Sequence, residues 1–355
     1  MTIPARPFQQ STAKVYEITS GSLICLRCKA QFPILAGVAL VVDDVQQYLI
    51  DHVKGISKRV CDSEIPERYR SDYLQSKAEI QSEHIESDLE ADRVNALYLM
   101  NHYLRVEPED TESHWWKPAT GGGSAVIDSL IRAHWNHGPF EQIGEWVSEL
   151  SKAKQGGDAV ELGCGVGGLY PLLRPLLNSY LGVDSSFAGI ALARHLALGM
   201  PYRGTIRIPE DLLNGPVSRK IKMPIPKAWD GQADFIVGDF EGSAVKTAHW
   251  DLAIALNTID MMDEPFQLAQ LQYDLLKKGG VCIQSCPYIW FEGVARKLRA
   301  ELPKEIRDSA RAVEWLYEKA GFKLEMRKDE LTWLFFKHVR QMEIYSVHLF
   351  AARKV

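Results

Sequence analysis

Glu161-Leu162-Gly163-Cys164-Gly165-Val166-Gly167-Gly168 grows out of a strand-like run, residues 159–162, and leads into a helical pattern. Glycines at alternate positions let the backbone turn with positive φ and approach a ligand with no Cβ in the way. The stretch reads as strand, nucleotide cradle and helix, the opening unit of a parallel sheet flanked by helices. Further on, Asp184 closes Leu181-Gly182-Val183-Asp184, where a carboxylate can accept both hydroxyls of a ribose. Gly163, Gly165 and Gly168 also satisfy the dinucleotide pattern Gly-x-Gly-x-x-Gly. The acid at the head decides between ligands: a pyrophosphate has no use for Glu161, whereas a ligand with a free amino group does.

Working outward, short apolar runs at 159–162, 180–183, 235–237, 252–256, 281–284, 322–326 and 344–351 are candidate strands. They alternate with helical patterns, so the expected fold is α/β, a Rossmann-like seven-stranded sheet. No helix is visible between the last two runs, so an antiparallel closing pair is expected. Pro171 and Pro175 must shorten or kink the helix after the glycine loop.

The segment resembles the class I S-adenosylmethionine-dependent methyltransferases from about residue 157 to 355. The resemblance rests on Glu161-x-Gly163-x-Gly165-x-Gly167, on Asp184, on Val237-Gly238-Asp239-Phe240, and on Trp250-Asp251-Leu252-Ala253-Ile254-Ala255-Leu256-Asn257 followed by Leu276-Lys277-Lys278-Gly279-Gly280. It implies S-adenosylmethionine as cofactor and S-adenosylhomocysteine as product. Glu161 would bind the methionyl amine, Gly163, Gly165 and Gly167 would line the nucleoside, and Asp184 would hold the ribose. Asp239 would face the adenine, and Phe240 and Asn257 would belong to the same cofactor-binding set. The departure is an insertion, residues 202–232, which holds Pro209, Pro216, Pro224 and Pro226. Loops this long are usually functional or disordered, and the segment reads either as a lid or substrate-selecting hairpin or as a passive surface excursion.

Three zones follow: 1–43, 44–151 and 152–355. In the first, residues 21–38 resemble the second half of the small zinc-ribbon-like methyltransferase activators, and Val38-Ala39-Leu40-Val41-Val42 reads as a buried strand. A structural zinc needs four ligands; Cys25 and Cys28 lack a partner pair, although Cys61 and His52 could be recruited. The expectation is a metal-free packing module. The second zone is helical, with Ile85, Leu89, Leu97, Met100 and Leu104 on one face. Another helical stretch, residues 124–151, is broken at Gly138-Pro139. This region is expected to cover the substrate.

The chain of 355 residues carries 41 basic and 46 acidic side chains, a net charge of −5. That is no nucleic-acid footprint, and residues 62–112 alone hold fourteen acids against five bases. DNA is excluded as a partner on this reading and RNA disfavoured. The longest nearly uncharged apolar run, residues 30–42, is too short to span a bilayer. Six scattered cysteines suit a reducing cytoplasm.

Methyl transfer needs orientation above all, so a general base is optional. Its candidates lie after the fourth and fifth strands of the methyltransferase sheet: Asn257 and Asp260, then Tyr288. Asn257 lacks the Asn-Pro-Pro-Tyr continuation of amide and nucleobase methyltransferases. His114-Trp115-Trp116 offers either a cation-binding aromatic face or a plug at an interface. His134 and His137 read as ordinary helix residues, and Trp333, Tyr345 and His348 as members of a sheet edge. The expected function is methyl transfer to a small molecule or peptide. RNA methylation, a non-catalytic cofactor-binding scaffold and a nicotinamide-dependent dehydrogenase are the alternatives.

Overall fold

The computed structural model describes residues 6–8, 15–26, 28–81, 86–105, 115–117, 123–136, 138–150, 157–207, 218–222, 233–239 and 245–355. A two-stranded ladder, β1 (Arg6–Phe8) and β2 (Val15–Glu17), precedes β3 (Gly21–Ile24), β4 (Gln31–Leu35) and β5 (Val38–Val41). Then come α1 (Val45–Asp51), α2 (Val53–Ser57), α3 (Glu67–Gln81), α4 (Glu86–Tyr103), α5 (Ala125–His134) and α6 (Pro139–Leu150). The remainder runs β6 (Asp158–Leu162), α7 (Tyr170–Leu173), β7 (Ser179–Asp184), α8 (Phe187–Ala197), β8 (Arg203–Arg207), β9 (Ser218–Lys222), β10 (Ala233–Gly238) and β11 (Trp250–Leu256). It closes with α9 (Pro265–Leu275), β12 (Leu276–Cys286), α10 (Glu292–Glu301), α11 (Ser309–Ala320), β13 (Phe322–His338) and β14 (Gln341–Lys354).

The main sheet has ten strands, ordered β13-β14-β12-β11-β6-β7-β10-β5-β4-β3. This corrects the expected seven. The seven candidate strands form one contiguous block, β10 to β13, with β14 antiparallel to both its neighbours. The other three come from the N-terminal zone. β5 pairs in parallel with β10, Leu40 opposite Val237, and β4 and β3 follow antiparallel. An open sheet edge presents unpaired N–H and C=O groups, and the apolar Val38-Ala39-Leu40-Val41 covers it. The run 322–326 is likewise only the start of β13, whose pairing with β14 continues through three register shifts to His338, where a turn at Val339-Arg340 returns the chain.

Strands buried on both faces read as continuous apolar runs. On β11, Leu252, Ile254 and Leu256 enter the core beneath α1, α6 and α8, while Ala253 and Ala255 enter the one shared with α9 and α11. Helix ends follow local chemistry. The Ser186 hydroxyl caps α8 by accepting the Gly189 N–H at 3.1 Å. Asp308 caps α11, which stops at Gly321 with φ of 102°, a conformation that favours glycine. Pro139 opens α6, and α7 is only four residues long before a 3₁₀ turn, as its prolines require.

Helix α4 joins two distant parts of the fold. The Asn101 amide donates to the Phe336 carbonyl at 3.0 Å, and its oxygen accepts the Phe336 N–H at 2.6 Å. The Tyr103 hydroxyl meets the carbonyls of Val166 and Gly167 at 2.9 and 3.0 Å. The insertion contributes the hairpin β8–β9, and β8 runs beside α4. Residues 208–217 and 223–232 lie outside the described residues, as does Ile85.

Candidate functional site

The glycine loop bends as its composition requires, with φ of 77°, 54° and 73° at Gly163, Gly165 and Gly167. A Cβ on Gly163 would stand 2.6 Å from Thr258 Oγ1, and one on Gly167 2.8 Å from the Phe235 ring. The Gly165 side differs: a Cβ there would meet nothing within 4 Å. Crowding by the side chains of Thr258, Phe235 and Ala193 thus fixes the loop on two sides and leaves a hollow on the third.

Asp184 is tied into this hollow. Its two carboxylate oxygens accept the N–H groups of Gly165 and Ser186, both at 2.8 Å. Burial raises its pKa, and the two backbone N–H bonds oppose that rise. Tyr48 of α1 donates to the Ser185 carbonyl at 2.6 Å, so the N-terminal helices brace the turn that carries Asp184.

Glu161 is 3% exposed and faces the same core as Ala159 and Tyr180. The Tyr180 hydroxyl donates to its carboxylate. Burial pushes the Glu161 pKa to about 8; the Tyr180 bond works against that shift and the Asp184 charge adds to it. His102 of α4 presses on Gly168, and burial, helped by Arg105, drives its pKa down to about 4. His102 Nδ1 is buried with no hydrogen-bond partner among the described residues. Tyr180, Tyr103 and His102 were missed by the sequence reading. Tyr180 was within its reach, lying two residues before Gly182 on the same strand face; the two α4 residues carried no local signal.

At the ends of β11 and β12 a second group assembles. Asn257 adopts φ of 51°. Its N–H donates to the Ser285 carbonyl at 2.8 Å and its side-chain oxygen accepts the Ser285 hydroxyl at 3.0 Å. Asp260, 2% exposed, accepts the Ile289 N–H at 2.8 Å and so ties the two loops together. Tyr288, also left-handed at φ of 61°, places its hydroxyl 2.6 Å from His348 Nδ1. His348 Nε2 lies 3.3 Å from Glu314 of α11, which Arg311 and Arg327 reach at 3.4 and 3.5 Å. Burial raises the Tyr288 pKa and lowers that of His348, with Glu314 pulling the latter back up. The structure therefore unites Tyr288 with a histidine read as sheet edge and with a glutamate that nothing in the sequence marked.

The other candidates are placed as follows. Asp239 follows β10 and is half-buried. Phe240, His114 and His137 lie outside the described residues, and His134 is exposed at the end of α5. Trp115 and Trp116 pack with Trp135 and Phe336, and Trp116 donates to Asp128 at 3.0 Å. This is the interface reading of the Trp pair. Cys25 is half-buried, Cys28 and Cys61 are exposed, and the His52 ring stacks on Tyr48. Among the described residues no three His, Cys, Asp or Glu side chains form a metal-ligand cluster, and no helix is long and apolar enough to cross a membrane. A surface hollow of about 500 Å3, lined by Ser22, Gln31, Pro66, Glu67 and Arg68, is remote in sequence from both groups.

S-adenosylmethionine suits these residues. The glycine loop offers a hollow with no Cβ to fill it, and each Asp184 oxygen keeps a lone pair beyond its backbone bond. Among the described residues no cationic side chain pairs with Glu161, the acid at the loop's head. No curated protein matches the sequence. Among solved structures, similar chains come from the complex between the Haloferax volcanii Trm112 methyltransferase activator and a methyltransferase (15% identity, 65% of this chain and 94% of that chain, TM-score 0.39). Another is magnesium protoporphyrin IX methyltransferase from Synechocystis with bound S-adenosylhomocysteine (17%, 66% and 90%, TM-score 0.39). These likenesses are too slight to carry a substrate or a partner across. The family described as methyltransferase domain, by contrast, matches residues 134–326, more than half of the chain. A match of that extent is membership: the chain belongs to the methyltransferase-domain family and is an S-adenosylmethionine-dependent enzyme.

Proposed function

We propose that this enzyme methylates a small molecule or a peptide at nitrogen or oxygen, with the cofactor in the crevice between the glycine loop and the end of β7. The observation that carries the reading is Asp184, braced by two backbone N–H groups beside the open face of Gly165. When bound, the cofactor supplies a methyl group already activated by the sulfonium charge. Asp184 holds the ribose, Gly163, Gly165 and Gly167 admit the nucleoside, Glu161 takes the methionyl amine, and Asp239 and Phe240 flank the adenine. Asn257 closes the crevice on the acceptor side.

The acceptor approaches over the ends of β11 and β12, where open α/β sheets bind their ligands. Met261, Ile289 and Phe291 stand there 65%, 60% and 60% exposed, a rim suited to an apolar molecule rather than to a phosphate backbone. Residues 44–151 cover the substrate, with α4 resting on the glycine loop and on β13, and the β8–β9 hairpin adds to this cover. Residues 1–43 act as a fused packing module that closes the sheet edge. Six free cysteines suit a reducing cytoplasm.

Titration calorimetry with S-adenosylhomocysteine tests the pocket. Wild-type protein is expected to bind, and Asp184→Ala to lose more than tenfold in affinity. Equal binding by both would place the cofactor elsewhere.

A further inference from the structure

A methyl acceptor that starts as a neutral X–H group must give up a proton, and the reading above assigns that proton to no residue. We infer that Tyr288, His348 and Glu314 form a proton relay at the acceptor end of the sheet, so that the acceptor is a hydroxyl or an amide that deprotonates as the methyl arrives. The inference rests on the methyltransferase reading and deepens it.

The polarity of the chain is fixed from its far end. Glu314 has only acceptor atoms when ionised, so His348 meets it with Nε2–H and keeps the Nδ1 lone pair. At 2.6 Å that lone pair accepts the Tyr288 hydroxyl. The phenol oxygen is left with lone pairs of its own, as the serine oxygen is in a Ser-His-Asp arrangement. His348 and Glu314 are 3% and 2% exposed. Burying two such groups is costly unless they are fully paired, and an apolar pair of similar volume would pin α11 to the sheet at least as well. Tyr288 also holds a left-handed backbone conformation, a strain that clusters at functional sites.

Position completes the argument. His348 lies opposite Cys286, the last residue of β12, and Tyr288 leads the loop that Asp260 ties to the end of β11. The groups facing the relay are Glu314 and Arg311 from α11, Arg327 and Asp329 from β13, and Cys286 and Asp260 from the two strand ends. Burial keeps His348 neutral at rest, so it is free to receive a proton. In the step itself, the X–CH3 bond forms as the S–CH3 bond of the sulfonium breaks. The X–H proton passes to the Tyr288 oxygen, and the Tyr288 proton passes to His348 Nδ1. Glu314 holds the resulting imidazolium until product leaves and the proton returns through Tyr288 to water.

The test incubates methyl-labelled cofactor and full-length protein with extract of a host lacking it, from pH 5 to pH 9. S-adenosylhomocysteine calorimetry and thermal melts are run in parallel. Tyr288→Phe keeps the ring and should lower labelled product at least 100-fold, with homocysteine-ligand affinity within twofold of wild type. Glu314→Gln should lower it at least tenfold and move the acid limb of the pH profile to lower pH, because His348 loses the charge that favours its protonation. In protein labelled with 15N-histidine, His348 should appear as the neutral Nε2–H tautomer at pH 7, and mass spectrometry should find the new methyl on oxygen or amide nitrogen. Undiminished product from Tyr288→Phe, loss only in step with lost folding, methylation of a free amine, or no product from protein that binds the ligand would each overturn the relay. Failure of wild-type protein to bind S-adenosylhomocysteine would instead overturn the cofactor reading beneath it.

Discussion

At the end of the crevice proposed for the cofactor, Glu161, the glycine loop, Tyr180 and Asp184 all fall within one strand-loop-helix-strand unit, and most of the bonds between them involve backbone. At the end proposed for the acceptor, Asn257, Tyr288, Glu314 and His348 come from four separate elements and meet largely through side chains. The first end is a conformation, dictated by what glycine permits. The second is an assembly, which exists only after the sheet has brought β12, β14 and α11 together. A backbone site tolerates little change at its turns and much around them, whereas a side-chain site fails wherever one member is removed.

The largest expected effect strikes the backbone site. Gly167→Val puts branched carbons where even a Cβ lies 2.8 Å from Phe235 and 3.0 Å from Ala193, at φ of 73°. Overpacking and a left-handed β-branched residue together should cost roughly 3 kcal/mol or more. Urea denaturation and calorimetry should show a large loss of stability together with loss of ligand binding; binding within twofold of wild type would show that the turn does not shape the crevice.

Glu161 comes next. Its pKa rises from 4.5 unfolded to about 8 folded, so between those values the folded protein keeps a proton that the unfolded chain has released. Stability should therefore fall as pH climbs from 5 to 8, at up to about 1.4 kcal/mol per unit, and level off above. Glu161→Gln should remove that slope in denaturation curves at the two pH values. Where the carboxyl meets a ligand ammonium, binding at pH 7 should also release a proton, seen as a binding enthalpy that changes with the buffer.

The smallest effect belongs to the assembled end. Asp260→Ala orphans the Ile289 N–H and should cost about 1–3 kcal/mol, read as a lower denaturation midpoint. S-adenosylhomocysteine affinity should stay within twofold, since Asp260 braces only the acceptor loops. A tenfold loss would merge the two ends into a single unit.

The same division explains what could be read from residues alone. The seven strands of the methyltransferase block, the turn at Gly163-Gly167, Asp184, the break at Pro139 and the stunted helix at Pro171 are all local consequences of φ preferences and alternation. The tie between Glu161 and Tyr180 lay one step further, on a shared strand face. Nothing local joins Leu40 to Val237 or Glu314 to His348, because pairings at that separation are chosen by the surface each partner leaves open. Val38-Ala39-Leu40-Val41 was legible as a buried strand, but not as the strand that lies against β10. His102 and Tyr103 were invisible for a related reason: α4 meets the glycine loop through tertiary packing, and its sequence carries only the marks of a helix.

The parallel pairing of β5 with β10 has a bearing on how the chain is made. Synthesis runs from the amino terminus at roughly 5–20 residues per second, so Val38-Ala39-Leu40-Val41 leaves the ribosome about 10–40 s before its neighbour. For that interval the apolar ribbon has β4 on one side and an open edge on the side that β10 later takes. Translation speed and chaperone access during it, more than the strength of any finished contact, then govern how many nascent chains avoid clumping.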